Sequence, residues 1–385
     1  MTKKKRKKPA KRNTATRKSA PKDGSARSER VRLFHETPFG KIYHGDSLRL
    51  LNQEMKPESA DLLVMSPPFG LVRKKAYGNV DADQYLQWFR PFGEAFRRVL
   101  KPRGSLVIDI GGAWIPGQPT RSLYHFELLL MLCRELGFHL AQEFFWWNPS
   151  KIPSPAEWVT VRRIRVKDAV NCIWWLSPSP WPKSSNRRVA VPYSDSMKHL
   201  LKKGHQANGV RPSGHDISEK FSRDHGSAIP PNLIAVPNTE SNSYYLRYCR
   251  AMGLSPHPAR FPSAIPEYFI RMLTDIGDTV VDPFAGSCVT GEVAERLKRN
   301  WTCCDLVEEY LHGALARFDK PDSGAPVQRT VSPMGFSGSG KSFYRVHHPG
   351  SLWEVNTSDF LQEDGGQTRP QSVGKNHAEL DPTKE

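Results

Sequence analysis

Thr279-Val280-Val281-Asp282-Pro283-Phe284-Ala285-Gly286-Ser287 decides the fold. A short β-branched run ends in an acid, a proline and a glycine, and helical spacing follows over residues 290–299. Strand, tight turn and helix in that order mark a βα unit. The unit recurs. Asp61-Leu62-Leu63-Val64-Met65 is a continuous apolar run, as expected of a strand buried on both faces of a parallel sheet. Residues 85–100 carry helical spacing, Lys101-Pro102-Arg103-Gly104 breaks it, and Ser105-Leu106-Val107-Ile108-Asp109-Ile110 reads as the next buried strand. A helix is expected over residues 122–136, with strands at 41–45, 144–147, 169–176 and 301–304 and helices at 264–274 and 309–318. Ser47 is expected to cap a helix beginning at Leu48. The alternation predicts an α/β fold with a mostly parallel sheet and helices on both faces.

The turn at 282–287 can cradle a ligand. Gly286 lets the backbone approach closely, and the helix start offers free N–H groups. A dinucleotide turn would carry three glycines to admit a pyrophosphate, and that spacing is absent. Asp305 ends the following strand, where an acid can accept hydrogen bonds from ribose hydroxyls. Two acids and no phosphate cradle suit S-adenosylmethionine better than NAD. The same letters also describe an ordinary βα turn.

Ser66-Pro67-Pro68-Phe69 follows the second buried strand directly, where α/β proteins place their ligand sites. A ring amino group is a poor nucleophile because its lone pair is delocalised. Acceptors on its two N–H bonds counter this, and the Ser66 hydroxyl and Pro67 carbonyl are such acceptors. Pro67 and Pro68 fix the backbone that aims them. Phe69 offers a face for a base rotated out of the duplex. Asp109, near the end of the next strand, either polarises Ser66 or takes the amino proton. A strand-end acid can equally be satisfied by backbone N–H groups alone.

With these two turns the chain resembles the beta class of DNA amino-methyltransferases, in which the catalytic motif precedes the cofactor motif. Ser-Pro-Pro-aromatic is typical of cytosine-N4 enzymes, and Asn- or Asp-Pro-Pro-aromatic of adenine-N6 enzymes. His257-Pro258-Ala259-Arg260-Phe261-Pro262 is similar to the loop closing over the methionine end of the cofactor. The resemblance is closer still to N4-cytosine modification enzymes of type II restriction–modification systems. It is carried by Tyr77-Gly78-Asn79, Trp147-Asn148-Pro149-Ser150-Lys151, Arg165-Val166-Lys167-Asp168-Ala169-Val170, Arg211-Pro212-Ser213-Gly214-His215-Asp216 and Ser227-Ala228-Ile229-Pro230-Pro231-Asn232. It covers residues 36–318.

It implies a Rossmann-like S-adenosylmethionine-dependent fold with circularly permuted motif order. It also implies cofactor contacts from Asp282, Phe284, Ala285, Gly286, Ser287, Asp305, His257, Pro258, Arg260 and Phe261. Two positions depart from the class: Cys288 replaces a common glycine, and Asp305 a common glutamate.

The expected organisation is a disordered basic tail (1–30), a catalytic half (31–180), a loop-rich target-recognition region (181–255), a cofactor-binding half (256–320) and a low-complexity C-terminal tail (321–385), the two tails being read from composition alone. Within that tail, Tyr344 to Val355 has a pattern able to pack locally. Within the recognition region Arg187, Arg188, Lys198, Lys202, Lys203, Arg211 and Arg223 are candidate phosphate or guanine contacts. Lys74 and Lys75 follow the catalytic turn and are placed to hold the phosphate beside a flipped nucleotide.

The formal net charge is +17, and residues 1–30 hold thirteen Lys or Arg against two acids. The tail therefore dominates the imbalance and reads as a counterion-releasing arm for phosphates. A solvated tail or an import signal fits the same letters. Gly335-Phe336-Ser337-Gly338-Ser339-Gly340-Lys341-Ser342 matches a P-loop in letters, but no apolar strand precedes it and no helix follows. The six cysteines include no CxxC pair, so no metal site is expected, and no apolar run suits a signal peptide or a membrane span.

The expected partner is double-stranded DNA, with a restriction endonuclease acting separately on the same site. The expected location is the cytoplasm, on the nucleoid. Adenine N6 methylation on the same scaffold, or an inactive DNA-binding relative, are the alternatives.

Overall fold

The computed structural model describes residues 30–70, 80–203, 209–210, 214, 216–217, 223–239, 243–318, 343–348 and 351–356. Residues 1–29 of the basic tail, Lys74, Lys75, Tyr77-Gly78-Asn79, Arg211 and the residues 335–342 lie outside these.

The chain forms β1 (Arg32–Glu36), β2 (Gly40–His44), α1 (Ser47–Arg49), β3 (Ala60–Met65), α2 (Tyr85–Val99) and β4 (Leu100–Ile110). Next come α3 (Tyr124–Leu130), β5 (His139–Trp147), β6 (Val170–Ser177), α4 (Asp195–Lys203), β7 (Gly209–Val210), β8 (Asp216–Ile217) and β9 (Leu233–Ala235). The last part holds α5 (Tyr244–Ala251), α6 (Ala264–Leu273), β10 (Thr279–Asp282), α7 (Val289–Arg296), β11 (Asn300–Asp305), α8 (Glu308–Ala314), β12 (Phe343–His348) and β13 (Ser351–Asn356). The backbones of β12 and β13 pair antiparallel, as do those of β7 and β8.

The main sheet runs β1-β2-β11-β10-β3-β4-β6-β5-β9. Strands β2, β11, β10, β3 and β4 are mutually parallel, while β6 is antiparallel to both neighbours and β1 is antiparallel to β2. The fold is thus the permuted Rossmann-like arrangement, with β10 and β3 adjacent although one lies late in the chain and the other early.

Alternate residues of β3 face opposite layers, as strand geometry requires. Leu62 and Val64 join a core with α6 and α7, and Leu63 and Met65 join a second core with α2 and α3. Asp61 staples the N-terminal edge: its Oδ2 accepts from Lys101 Nζ at 2.7 Å and from the Thr279 N–H at 2.9 Å.

Two local expectations change. Asp46, not Ser47, caps α1: it has the extended backbone of a capping residue, and its carboxylate accepts from the Leu48 N–H at 2.9 Å. Strand β4 begins at Leu100, ahead of the expected break. Ala60 pairs with Leu100 and Leu62 with Ser105, so Pro102 and Gly104 sit where the ladder is interrupted, and the sheet tolerates them there.

No helix among the described residues is long and apolar enough to cross a membrane.

Candidate active site

Both motif turns leave the C-terminal edge of the sheet from neighbouring strands. Met65 pairs with Ile108, which puts Ser66 beside Asp109. Ser66 Oγ donates to Asp109 Oδ2 at 3.0 Å, and Asn171 Nδ2 donates to Asp109 Oδ1 at 3.2 Å. Asn171 arrives on the antiparallel strand β6, whose Cys172 and Ile173 pair with Ile110 and Asp109. Asp109 is only 3% exposed. Burial pushes its carboxyl up to about 6, while the hydrogen bonds from Asn171 and Ser66 and the charge of Lys151 pull it back. A group at that value is ionised at neutral pH yet basic enough to take a proton.

Pro67 is buried and Phe69 half-buried. The Phe69 ring lies flush on Gly111, where a Cβ would come within 2.5 Å of it. Tyr124 donates its hydroxyl proton to the Gly111 carbonyl and so holds this strand end. Beyond it the loop between β5 and β6 returns across the same edge. Arg165 stacks 3.9 Å from the centre of the Trp114 ring, and Arg121 and Arg165 both face Asp168, at 3.3 and 3.9 Å. Ile152, Ile164 and Val166 on this loop are exposed.

The second turn sits one strand over. The Gly286 N–H donates to Asp305 Oδ2 at 2.8 Å and the Val307 N–H to Oδ1 at 2.9 Å. Gly286 has φ 51°, and a Cβ there would meet the His257 ring at 3.0 Å. Cys288, where the class commonly has glycine, also adopts the left-handed conformation. Asp282 is sealed into its own turn: Oδ1 accepts from the Phe284 N–H at 3.0 Å and Oδ2 from the Thr290 hydroxyl at 2.6 Å. Burial raises its carboxyl to about 7 and also raises that of Asp305. Phe284 packs on Trp88 and Phe92.

The loop carrying His257, Pro258, Arg260 and Phe261 lies against this turn. The His257 N–H donates to the Tyr245 hydroxyl at 2.9 Å, and Arg260 donates to the His257 carbonyl. Burial lowers the His257 ring to about 4, so it is neutral at physiological pH. Arg317 donates to the Ser287 carbonyl at 2.6 Å and to its hydroxyl at 3.2 Å.

The residues fit S-adenosylmethionine. Beyond the bonds it accepts from backbone N–H groups, the Asp305 carboxylate keeps lone-pair capacity for a ribose hydroxyl. The left-handed glycine leaves a cradle that a Cβ would fill.

Several sequence candidates lie elsewhere. Arg188 donates to the Thr274 carbonyl at 2.6 Å and pairs with Asp275, and Lys183 pairs with Asp278. These partners precede β10, so Arg187 and Arg188 run along the N-terminal edge, opposite the catalytic turn. Lys198 pairs with Asp195 at 3.1 Å, whereas Lys202, Lys203 and Arg223 are exposed. Residues missed from sequence are Asn171, Lys151, Tyr124, Tyr245 and Arg317. Helix α5, in a stretch expected to be loop-rich, packs on α8 and supplies Tyr245 to the cofactor loop. Its Cys249 and Tyr245 lie against Gly313 so closely that a Cβ there would meet them.

Residues 60–316 match the family described as DNA methylase, of N6 and N4 methyltransferases. The type II methyltransferase M.PvuII of Proteus hauseri is 50% identical over 286 residues, 74% of this chain and 85% of that protein. M.BglII of Bacillus subtilis is 26% identical, over 72% of this chain and 68% of its own. The solved PvuII DNA methyltransferase, described as cytosine-N4-specific, superposes with a TM-score of 0.60 at 44% identity, over 75% of this chain and 89% of that one.

Proposed function

The chain belongs to the N6/N4 DNA methylase family, and from that membership we propose that it transfers a methyl group from S-adenosylmethionine to the N4 amino group of cytosine at a specific site in duplex DNA. The observation that carries the reading is the hydrogen bond from Ser66 to Asp109, one strand from the Gly286–Asp305 cradle.

Because Ser66 donates its own proton to Asp109, its lone pairs remain free to accept from a substrate N–H. The Pro67 carbonyl supplies the second acceptor. Together they favour a pyramidal nitrogen whose lone pair can attack. The cofactor, held by Asp305, Gly286 and the His257 loop, supplies an electrophilic methyl on sulfonium. As the nitrogen gains carbon it must lose a proton. Ser66 Oγ takes that proton as its own passes to Asp109 Oδ2, and the carboxyl later releases it to solvent. Asp282 holds the turn in shape through Thr290 and the Phe284 N–H. Phe69 supplies a face for the flipped base.

Duplex DNA lies across the C-terminal edge, with Lys202, Lys203 and Arg223 as contacts from the recognition region and Lys74, Lys75 and Arg211 as further ones. The reading includes a restriction endonuclease acting separately at the same site, supported by the likeness to type II modification enzymes, and action on DNA in the cytoplasm.

The test is nucleoside mass spectrometry of plasmid DNA treated with enzyme and cofactor. The expected product is 4-methylcytosine. Finding 6-methyladenine alone would replace the target base, and finding neither, with no binding of S-adenosylhomocysteine, would remove the activity.

A further inference from the structure

Asp109 has two oxygens, and proton transfer from Ser66 uses one. The other, Oδ1, accepts from Asn171 Nδ2 at 3.2 Å, and Asn171 Oδ1 accepts from Lys151 Nζ at 3.4 Å. An ammonium only donates and a carboxylate only accepts, so a single orientation of the amide satisfies both neighbours. Backbone geometry fixes both ends of this chain. Asn171 pairs with Trp146 in the β5–β6 ladder, and the Lys151 N–H donates to the Asn148 carbonyl at 3.2 Å.

We propose that Asn171 and Lys151 are positioning residues, which together set the tilt of the Asp109 carboxylate and so aim the Ser66 hydroxyl at the substrate amino group. This rests on the reading of Ser66 and Asp109 as the groups that meet that amino group.

The surroundings favour this role over a simple structural one. Ser66 from the turn after β3, Asn171 and Cys172 from β6, Tyr124 from α3 and Lys151 from the β5–β6 loop face Asp109, with Arg121 farther out. Of these, Lys151 is the cation that favours the ionised carboxylate. Lys151 is itself half-buried among Asp168, Asp109 and Arg121, and burial lowers its ammonium. A lysine turned inward toward an amide and two carboxylates is not displayed to DNA phosphates. A freely rotating carboxylate would leave the Ser66 proton without a fixed direction, and misaiming by a fraction of an ångström is costly in proton transfer.

The experiment measures kcat, KM for DNA and the pH–rate profile of the full chain, with high-molecular-weight unmodified DNA as substrate. Lys151→Met and Asn171→Ala are expected to lower kcat about tenfold or more, with KM within about twofold. Both should move the acid limb to higher pH, because each removes something that stabilises the Asp109 anion. Lys151→Arg should keep the limb in place and recover most of kcat. Asn171→Asp, nearly isosteric, should move the limb furthest, by setting a second carboxyl beside the first.

Wild-type kcat and an unmoved limb in Lys151→Met and Asn171→Ala would overturn the proposal. So would a lower kcat with the limb in place and no recovery by Lys151→Arg, which is what general loosening gives. Ser66→Ala and Asp109→Asn run alongside. If those two remain active, the underlying reading fails; if they are inactive while the Lys151 and Asn171 variants match wild type, only the positioning role fails. Should Asn171→Ala not fold, as judged by S-adenosylhomocysteine binding, Asn171→Asp and Lys151→Met decide by the limb.

Discussion

Ser66 donates to Asp109 across the joint between two parallel strands, and it does so in a pocket where the acid is almost wholly shielded from water. Shielding and the hydrogen bond oppose one another. The first raises the carboxyl and the second lowers it, and the balance leaves a group that changes charge near pH 6.

Ser66→Ala removes an acceptor for the amino group and the first link of the proton path. Turnover should fall about 10²- to 10⁴-fold. Calorimetric binding of S-adenosylhomocysteine should be unchanged, since Ser66 does not touch the Gly286–Asp305 turn.

Asp109→Asn should abolish turnover and stabilise the fold at neutral pH. The folded carboxyl is raised from its ordinary value of 3.8 to about 6. The acid therefore contributes most stability below about pH 4 and loses it as pH rises through 6. Relative to wild type, the variant should gain stability between pH 4 and 7, by an amount on the order of 1–3 kcal/mol. Denaturant melts of both proteins at pH 4, 5.5 and 7 check the sign. A gap that narrows with rising pH would contradict it.

Asp305→Ala deletes the carboxylate that accepts from Gly286 and Val307 and offers capacity to the ribose. Affinity for S-adenosylhomocysteine should drop about 10- to 100-fold, in line with loss of charged hydrogen bonds of about 1.5–3 kcal/mol. Gly286→Ala should act through the same turn by a different cause. Its left-handed backbone disfavours a side chain by about 1–2 kcal/mol, and the new methyl meets the His257 ring. Both effects show in one calorimetric titration and one melt.

Arg188→Ala should lower the melting temperature without changing DNA affinity, because Arg188 is spent on Asp275 and the Thr274 carbonyl at the far edge. Lys202→Ala and Lys203→Ala should weaken DNA binding across all sequences and reduce the slope of log K against log salt by about one each. Filter binding at three salt concentrations separates the two classes.

The strands and both ligand turns were legible in sequence because apolar runs ending in Pro and Gly leave few other readings. Asp109 was legible as an acid at a strand end. Asn171 was not: its reach to Asp109 depends on β6 running antiparallel beside β4, and a run of buried residues carries no direction. Lys151 stood within a quoted motif, but a lysine turned inward is written with the same letter as one facing solvent. Arg188 shows the converse, since a loop cation reads alike whether DNA or Asp275 awaits it, and here it meets Asp275 and the Thr274 carbonyl. Helix α5 was lost in a loop-rich stretch, although Ser243 caps it through the Leu246 N–H at 3.4 Å.

The pairing of β10 with β3 has a consequence for biosynthesis. Val280 and Val281 zip onto Leu62 and Leu63, and the Thr279 N–H reaches Asp61 across 218 positions of chain. During translation at about 5–20 residues per second, β3 waits roughly 10–40 s for its central neighbour. Until then one flank of that strand is bare, the cradle for the methyl donor does not exist, and the nascent polypeptide cannot modify the DNA around it. Assembly of the cradle therefore follows the synthesis of β10 and its pairing with β3 in the middle of the sheet.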